Sequence, residues 1–158
     1  MTKYDINTEL KLVIHKYKGD VTQNHLKNAW HTFMHLKSFT SEGYNLISDY
    51  SDGKFKLDLH DLDIARPFLK SHRHMLQGKK EAVITKDPFT TAICSLFEQY
   101  AYEDAGMVVK VFSTKDAAFR WLMNCKYSCG CNQKNCKILI EKRYEEFIES
   151  ISLNVRQS

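Results

Sequence analysis

The chain has 158 residues but only two prolines and six glycines. That scarcity excludes collagen-like and Pro/Gly-rich low-complexity sequence, and no Pro/Ser linker or internal repeat divides the chain. No apolar run is long enough to span a bilayer. The opening text, MTKYDINTELKL, lacks an apolar core and a cleavage-site pattern, so no secretory signal is expected and the expected location is cytoplasmic. A basic tail is missing too. The net charge is +4, and residues 1–124 and 125–158 each carry an excess of two positive charges. Phosphate-driven binding draws on a concentrated basic face, so no nucleic-acid partner is expected. P-loop, dinucleotide-fingerprint and nucleophile-elbow texts are all absent. What remains is an ordinary soluble composition, 43% hydrophobic and 27% charged, sized for one domain with a proper core.

Periodicity gives the element order β-β-α-β-α-β-α-β-α. In ELKLVIHKY, Leu10, Leu12 and Ile14 alternate with Lys11, Val13 and His15, a strand with one face more buried. Asn7-Thr8-Glu9 supplies the turn from an antiparallel first strand. Leu26, Ala29, Trp30, Phe33 and Met34 fall at helical spacing after the N-cap Thr22. A short buried strand is predicted over Tyr44–Asp49, then a loop. A separate extended segment then alternates at Phe55, Leu57 and Leu59. The next helix is predicted to begin near Asp63, with Pro67 in its first turn. The acidic run DLHDLD (Asp58–Asp63) suits a helix start. EAVIT reads as a strand. Asp87 caps a helix with Pro88 at its first position, Ile93, Leu96, Phe97 and Tyr100 facing inward, and Gly106 at its end. MVVKVF is the last strand. Ser113 and Asp116 are spaced as a capping box for a helix whose apolar side is Ala117, Ala118, Trp121 and Leu122. Alternating strands and helices imply a mixed, mostly parallel five-stranded sheet with right-handed crossovers. Residues 124–158 form a cysteine-rich turn and a C-terminal amphipathic helix on Ile140, Tyr144, Phe147, Ile148 and Ile151. That helix is expected to pack on its own domain, the alternative being a docking helix for a partner.

The texts AVITKDPFTTAICSLFEQY and VKVFSTKDAAFRWL, with the element order, give residues 1–123 a resemblance to the STAS-like family, small α/β domains related to bacterial anti-sigma-factor antagonists. The resemblance implies a STAS-like α/β fold and a regulatory or protein-interaction module rather than an enzyme. Antagonists of this group expose a phosphorylatable serine in an Asp-Ser-Ser-Gly-like text. The matching region here, LISDYSDGKFKLDLHD, has Ser48 and Ser51 but not that text, and a longer loop. A phosphate on Ser51 would meet Asp49 and Asp52.

Four of the five cysteines, Cys125, Cys129, Cys131 and Cys136, lie within twelve residues. In a reducing compartment stable disulfides are disfavoured, and four thiolates suit a tetrahedral zinc ion in a closed, structural site. The C-x3-C-x-C-x4-C spacing departs from paired knuckles and from ferredoxin runs, so free thiols, a disulfide or an oxidant sensor stand beside zinc. His31 and His35, four apart on the first helix, have metal-compatible spacing but no third ligand nearby, and read as surface histidines. Cys94 reads as a buried small residue. Phe89, Tyr100, Tyr102 and Met107 are candidates for a small apolar pocket beside the Pro88 helix.

The sequence therefore supports a non-enzymatic cytosolic regulatory or interaction module, with an unknown protein partner or a homodimer. A metal-binding or thiol-redox protein is the alternative, and a carrier of a small apolar ligand is a third.

Overall fold

The computed structural model describes residues 2–123 and 142–149. Five strands form one sheet in the order β1-β2-β3-β4-β5, namely β1 (Thr2–Asn7), β2 (Leu12–Val21), β3 (Asn45–Phe55), β4 (Lys80–Ile84) and β5 (Val108–Phe112). The first pair is antiparallel and the other three are parallel. The helices are α1 (Gln23–His35), α2 (Lys37–Thr40), α3 (Leu59–Ser71), α4 (Arg73–Leu76), α5 (Pro88–Ala105) and α6 (Lys115–Leu122), with a further helix, α7, over 142–149. This is the α/β arrangement that the STAS-like resemblance implied.

Strands added in one direction by crossovers of one hand place every crossing helix on the same side of the sheet. Accordingly α1 to α5 pack on one face, over Val13, Tyr17, Leu46, Tyr50, Val83 and Val109. The other face carries Leu12, Ile14, Ile47, Ala82 and Ile84 and is closed by α6 and α7. The sheet is thus buried on both sides. Val13 and His15, expected on the less buried side of β2, are fully enclosed.

Between Lys16 and Lys18 the β2–β3 register shifts, so that two residues of β3, Tyr50 and Ser51, oppose Tyr17 alone. A bulge of this kind reverses the inside–outside phase beyond it. Leu46, Ser48 and Tyr50 point to the α1–α5 side before the bulge, and Gly53 and Phe55 are the buried positions after it. One strand therefore replaces the predicted short strand, loop and separate extended segment. A side chain at Gly53 would be tight: a Cβ would lie 3.2 Å from Val21 Cγ2 and 3.4 Å from Tyr17 Cβ, and those neighbours would have to give by a few tenths of an ångström.

Helix starts follow side-chain caps. The β1–β2 turn is pinned by Leu10 N–H donating to Asn7 Oδ1 at 2.9 Å. Thr22 precedes α1, its N–H donating to His25 Nδ1 at 3.0 Å. α3 starts earlier than its apolar spacing suggests, because Asp58 and Asp61 each accept the other's backbone N–H, at 2.9 and 3.0 Å. Pro67 consequently lies inside α3 rather than in its first turn, on the exposed side with Asp63, whose carbonyl it leaves without a helical partner. Asp87 caps α5, with Pro88 next and Gly106 left-handed at the end (φ 64°). The cap of α6 is Thr114, which accepts from Ala117 N–H, one residue on from the predicted Ser113. Its buried side is Ala118, Phe119 and Leu122.

The C-terminal helix packs on its own domain, as expected. Phe147 is fully buried and stacks on Phe119 with ring centroids 5.2 Å apart, and Tyr144 lies 5.6 Å from Phe119. Phe147→Ala should therefore lower stability by about 3 kcal/mol or more in urea unfolding, whereas Glu146→Ala, on the exposed side of α7, should change it by less than about 0.5 kcal/mol.

Candidate functional site

Several polar side chains of the sheet gather on the face beneath α1, α3 and α5. Pleating sends His15 and Tyr17 of β2, Ser48 and Tyr50 of β3, and Glu81 of β4 to that face, beside Val13, Leu46 and Val83. Ser48 and Glu81 are 1% and 4% exposed, and Ser48 Oγ donates to Glu81 Oε1 at 2.6 Å. Among the described residues Glu81 Oε2, His15 Nδ1 and Gln23 Nε2 are buried without a hydrogen-bond partner. The Tyr17 and Tyr50 rings stack at 4.3 Å, His15 lies 4.1 Å from Tyr17, and Tyr50 meets Phe55 edge-on at 4.8 Å.

Above this floor the helices leave a cavity of about 580 Å³. Its walls are Leu26, Trp30 and Met34 of α1, Leu62, Ala65 and Phe68 of α3, and Ile93, Cys94 and Phe97 of α5. Glu81, Tyr50 and Gln23 reach it from the sheet and from the first turn of α1. Lys27, His31, His35, Asp61 and His72 also stand on the lining. The volume falls within the range of about 300–1,000 Å³ common for small-molecule pockets, and apolar walls with a few convergent polar groups are their usual chemistry.

The spacing between α3 and α5 is held by charge. Arg66 Nε and Nη2 donate to the two oxygens of Asp104 at 2.7 and 3.1 Å, and the guanidinium lies 4.2 Å above the Tyr100 ring. A bidentate pair fixes both distance and orientation. Through this hydrogen bond the Asp104 carboxyl is held below the usual carboxylate range.

Burial governs the acid–base state of the floor. It raises the Glu81 carboxyl to about 7, against a smaller opposing pull from the Ser48 hydrogen bond. It lowers the His15 imidazole to about 4 and pushes the Tyr17, Tyr50 and Cys94 groups up. Near neutrality His15 is uncharged and Glu81 exchanges its proton.

The sequence-derived candidates fall in different places. His31 and His35 are exposed, with ring centroids 4.4 Å apart, and they stand on the cavity lining. Among the described residues no group of three or more His, Cys, Asp or Glu is arranged to hold a metal ion. Cys94 is buried as expected. Ser51 lies in the β3 bulge, where its N–H and hydroxyl both donate to Asp49 Oδ1 at 2.9 and 2.5 Å, and Lys115 Nζ lies 3.7 Å from the same carboxylate. Cys125, Cys129, Cys131 and Cys136 lie outside the described residues. Phe89, Tyr100, Tyr102 and Met107 do not share a pocket. Phe89 and Tyr102 are exposed, Met107 is in the core, and Tyr100 is under Arg66. The buried side of α5 runs through Ile93, Cys94, Ala101 and Ala105, leaving Leu96 exposed. Glu81 and His15 each sit in a text that reads as an ordinary strand. Their signal was an ionisable residue inside a strand whose two faces both carry large apolar side chains.

No family model and no curated protein matches the sequence. A solved structure similar to the chain is that of an uncharacterised protein of the DUF3478 family, with a SpoIIAA-like fold, from Shewanella loihica PV-4. It is 16% identical, with a TM-score of 0.49 over 77% of this chain and 93% of that one. Among the described residues no helix is long and apolar enough to cross a membrane.

The Glu81 carboxyl makes a test of its burial. Unfolded, it ionises near 4.5; folded, near 7. Between these values the folded state holds the extra proton, so its contribution is fully present below about pH 4.5 and is lost as pH rises through 7. The stability of the wild type relative to Glu81→Gln should fall by about 3 kcal/mol across that window in urea titrations. A difference that stays level with pH would show the carboxyl to be hydrated. His15 acts with the opposite sign, losing stability as pH falls from 6.5 through 4, and is common to both proteins.

Proposed function

We propose that the protein is a non-enzymatic binding module of regulatory type, which holds a small, largely apolar molecule between α1, α3 and α5. The observation that carries this reading is the 580 Å³ cavity walled by Leu26, Trp30, Met34, Phe68, Ile93 and Phe97. Leu26, Trp30, Met34, Phe68 and Phe97 are only half-buried on its walls, and an apolar cleft of this size with a few polar groups on its lining is the usual form of a small-molecule site. The chemistry of the lining favours binding over turnover. Burial holds the Cys94 thiol in its protonated form, away from the thiolate a nucleophile requires. His15 is held neutral by burial and packs against the Tyr17 and Phe33 rings.

Filling the space tests the reading. An apolar probe, butylbenzene, should bind the full-length wild-type protein with a dissociation constant on the order of 100 µM or tighter in calorimetry. Ala65→Trp, which sends an indole into the cavity, should weaken binding at least about tenfold without lowering the urea midpoint. Absence of wild-type binding, or unchanged binding in the filled variant, would remove the proposal.

A further inference from the structure

We propose that the ligand is an amphipathic anion, whose apolar body lies between α1, α3 and α5 and whose carboxylate stays at the rim, against Lys27, His31 and His35. This rests on the ligand-binding reading above and specifies its chemistry. The three side chains recur at every fourth residue of α1 and so share one stripe; all three are exposed and all three stand on the cavity lining. Trp30 and Met34, each one residue before a histidine of the stripe, line the same cavity, so the apolar wall and the basic rim are adjoining strips of one helix. The His31 and His35 rings lie 4.4 Å apart, within reach of a single head group. Trp30 also meets Phe68 of α3 at 5.9 Å, and Phe68 lies 4.2 Å from His72, a further imidazole on the lining.

This edge selects the sign of the charge. Among the described residues Lys27 has no carboxylate within ion-pair distance. His35 Nδ1 lies 2.7 Å from the His31 carbonyl oxygen, and His72 Nδ1 lies 2.9 Å from that of Phe68. A carbonyl only accepts, so each Nδ1 holds a proton, and Nε2 becomes a donor when the ring takes up a second one. An anion beside these rings favours that charged form. One lysine with titratable rings matches a single negative charge, and a head group at the rim keeps its contact with water. Of the other charged groups, Lys37, two residues beyond His35, has the same sign. Asp61 is engaged at the start of α3, accepting the Asp58 N–H at 3.0 Å, about two helical turns before Phe68. On the floor, Tyr50 and Cys94 are kept neutral by burial, and Glu81 is raised to about 7.

Calorimetry on the full chain with 4-phenylbutyrate, its neutral amide and 4-phenylbutylamine tests this, with butylbenzene reporting on the cavity itself. At about pH 6.5 and low salt the carboxylate should bind at least about fivefold tighter than the amide, and the amine no tighter than the amide. A Lys27→Gln/His31→Gln/His35→Gln protein, altered only at exposed positions, should bring carboxylate and amide within about twofold of each other, with butylbenzene binding and the urea midpoint unchanged. Between about pH 6 and 8 the wild-type preference for the carboxylate should fall as the imidazoles lose charge. Glu81 ionises over part of that range in both proteins, so the difference between them reads the histidines. Equal affinity for carboxylate and amide in the wild type, or a preference that survives in the triple variant, would overturn this inference and leave the binding module standing. Tightest binding of the amine would overturn it in favour of a cation site at Asp61. Failure of all four probes would overturn both.

Discussion

The pairing of β2 with β3 is the constraint from which the rest follows. These strands make the longest ladder in the sheet, and the extra residue in β3 sets which of its side chains faces which layer. Because of that insertion, Tyr50 and Phe55 both turn toward α1–α5, although they are five positions apart and an unbroken pleat would have sent them to opposite sides. The same insertion places Gly53 against Tyr17 and Val21, which lets the two backbones run close beneath the aromatic cluster. The far end of β3 then runs through Lys56, Leu57 and Asp58 directly into the cap of α3, so the strand also fixes where one wall of the cavity begins.

Local chemistry made most of this architecture legible. Thr22, Asp87, Pro88 and Gly106 announce helix ends through hydrogen bonds and backbone angles that are properties of a few neighbouring residues. The amphipathic spacing of α1, and of Tyr144, Phe147 and Ile148 near the end of the chain, matches the faces that pack. The errors share a cause. A bulge depends on the partner strand, so YSDGKF reads as a loop until β2 is beside it. The buried face of α5 depends on what packs against it, so Leu96 reads as core and proves exposed. The start of α3 was missed for the opposite reason: a local Asp58–Asp61 box overrode the apolar pattern.

The candidate site was less legible than the fold, because it is made of residues that look unremarkable where they stand in the text. Glu81 opens a strand, His15 sits in an alternating run, and Gln23 starts a helix. Only the sheet, covered on both sides, converts them into polar groups without water. Their number matters as much as their identity. Ser48 satisfies one carboxyl oxygen of Glu81 and Thr90 receives the Phe55 N–H, so this polar layer is partly completed by the protein itself.

The two layers flanking the sheet also differ in how much change they absorb. On one side Phe119, Phe147 and Tyr144 interlock ring against ring, so a side chain of altered bulk there must displace its neighbours. On the other, Ala65, Met34 and Phe97 border open volume, and larger or smaller substitutes change the chamber's shape before they disturb the backbone. Drift in side-chain size among descendants of this sequence is therefore cheap on the α1–α3 side and costly beneath α7. The scaffold can retune what it accommodates while its foundations stay fixed.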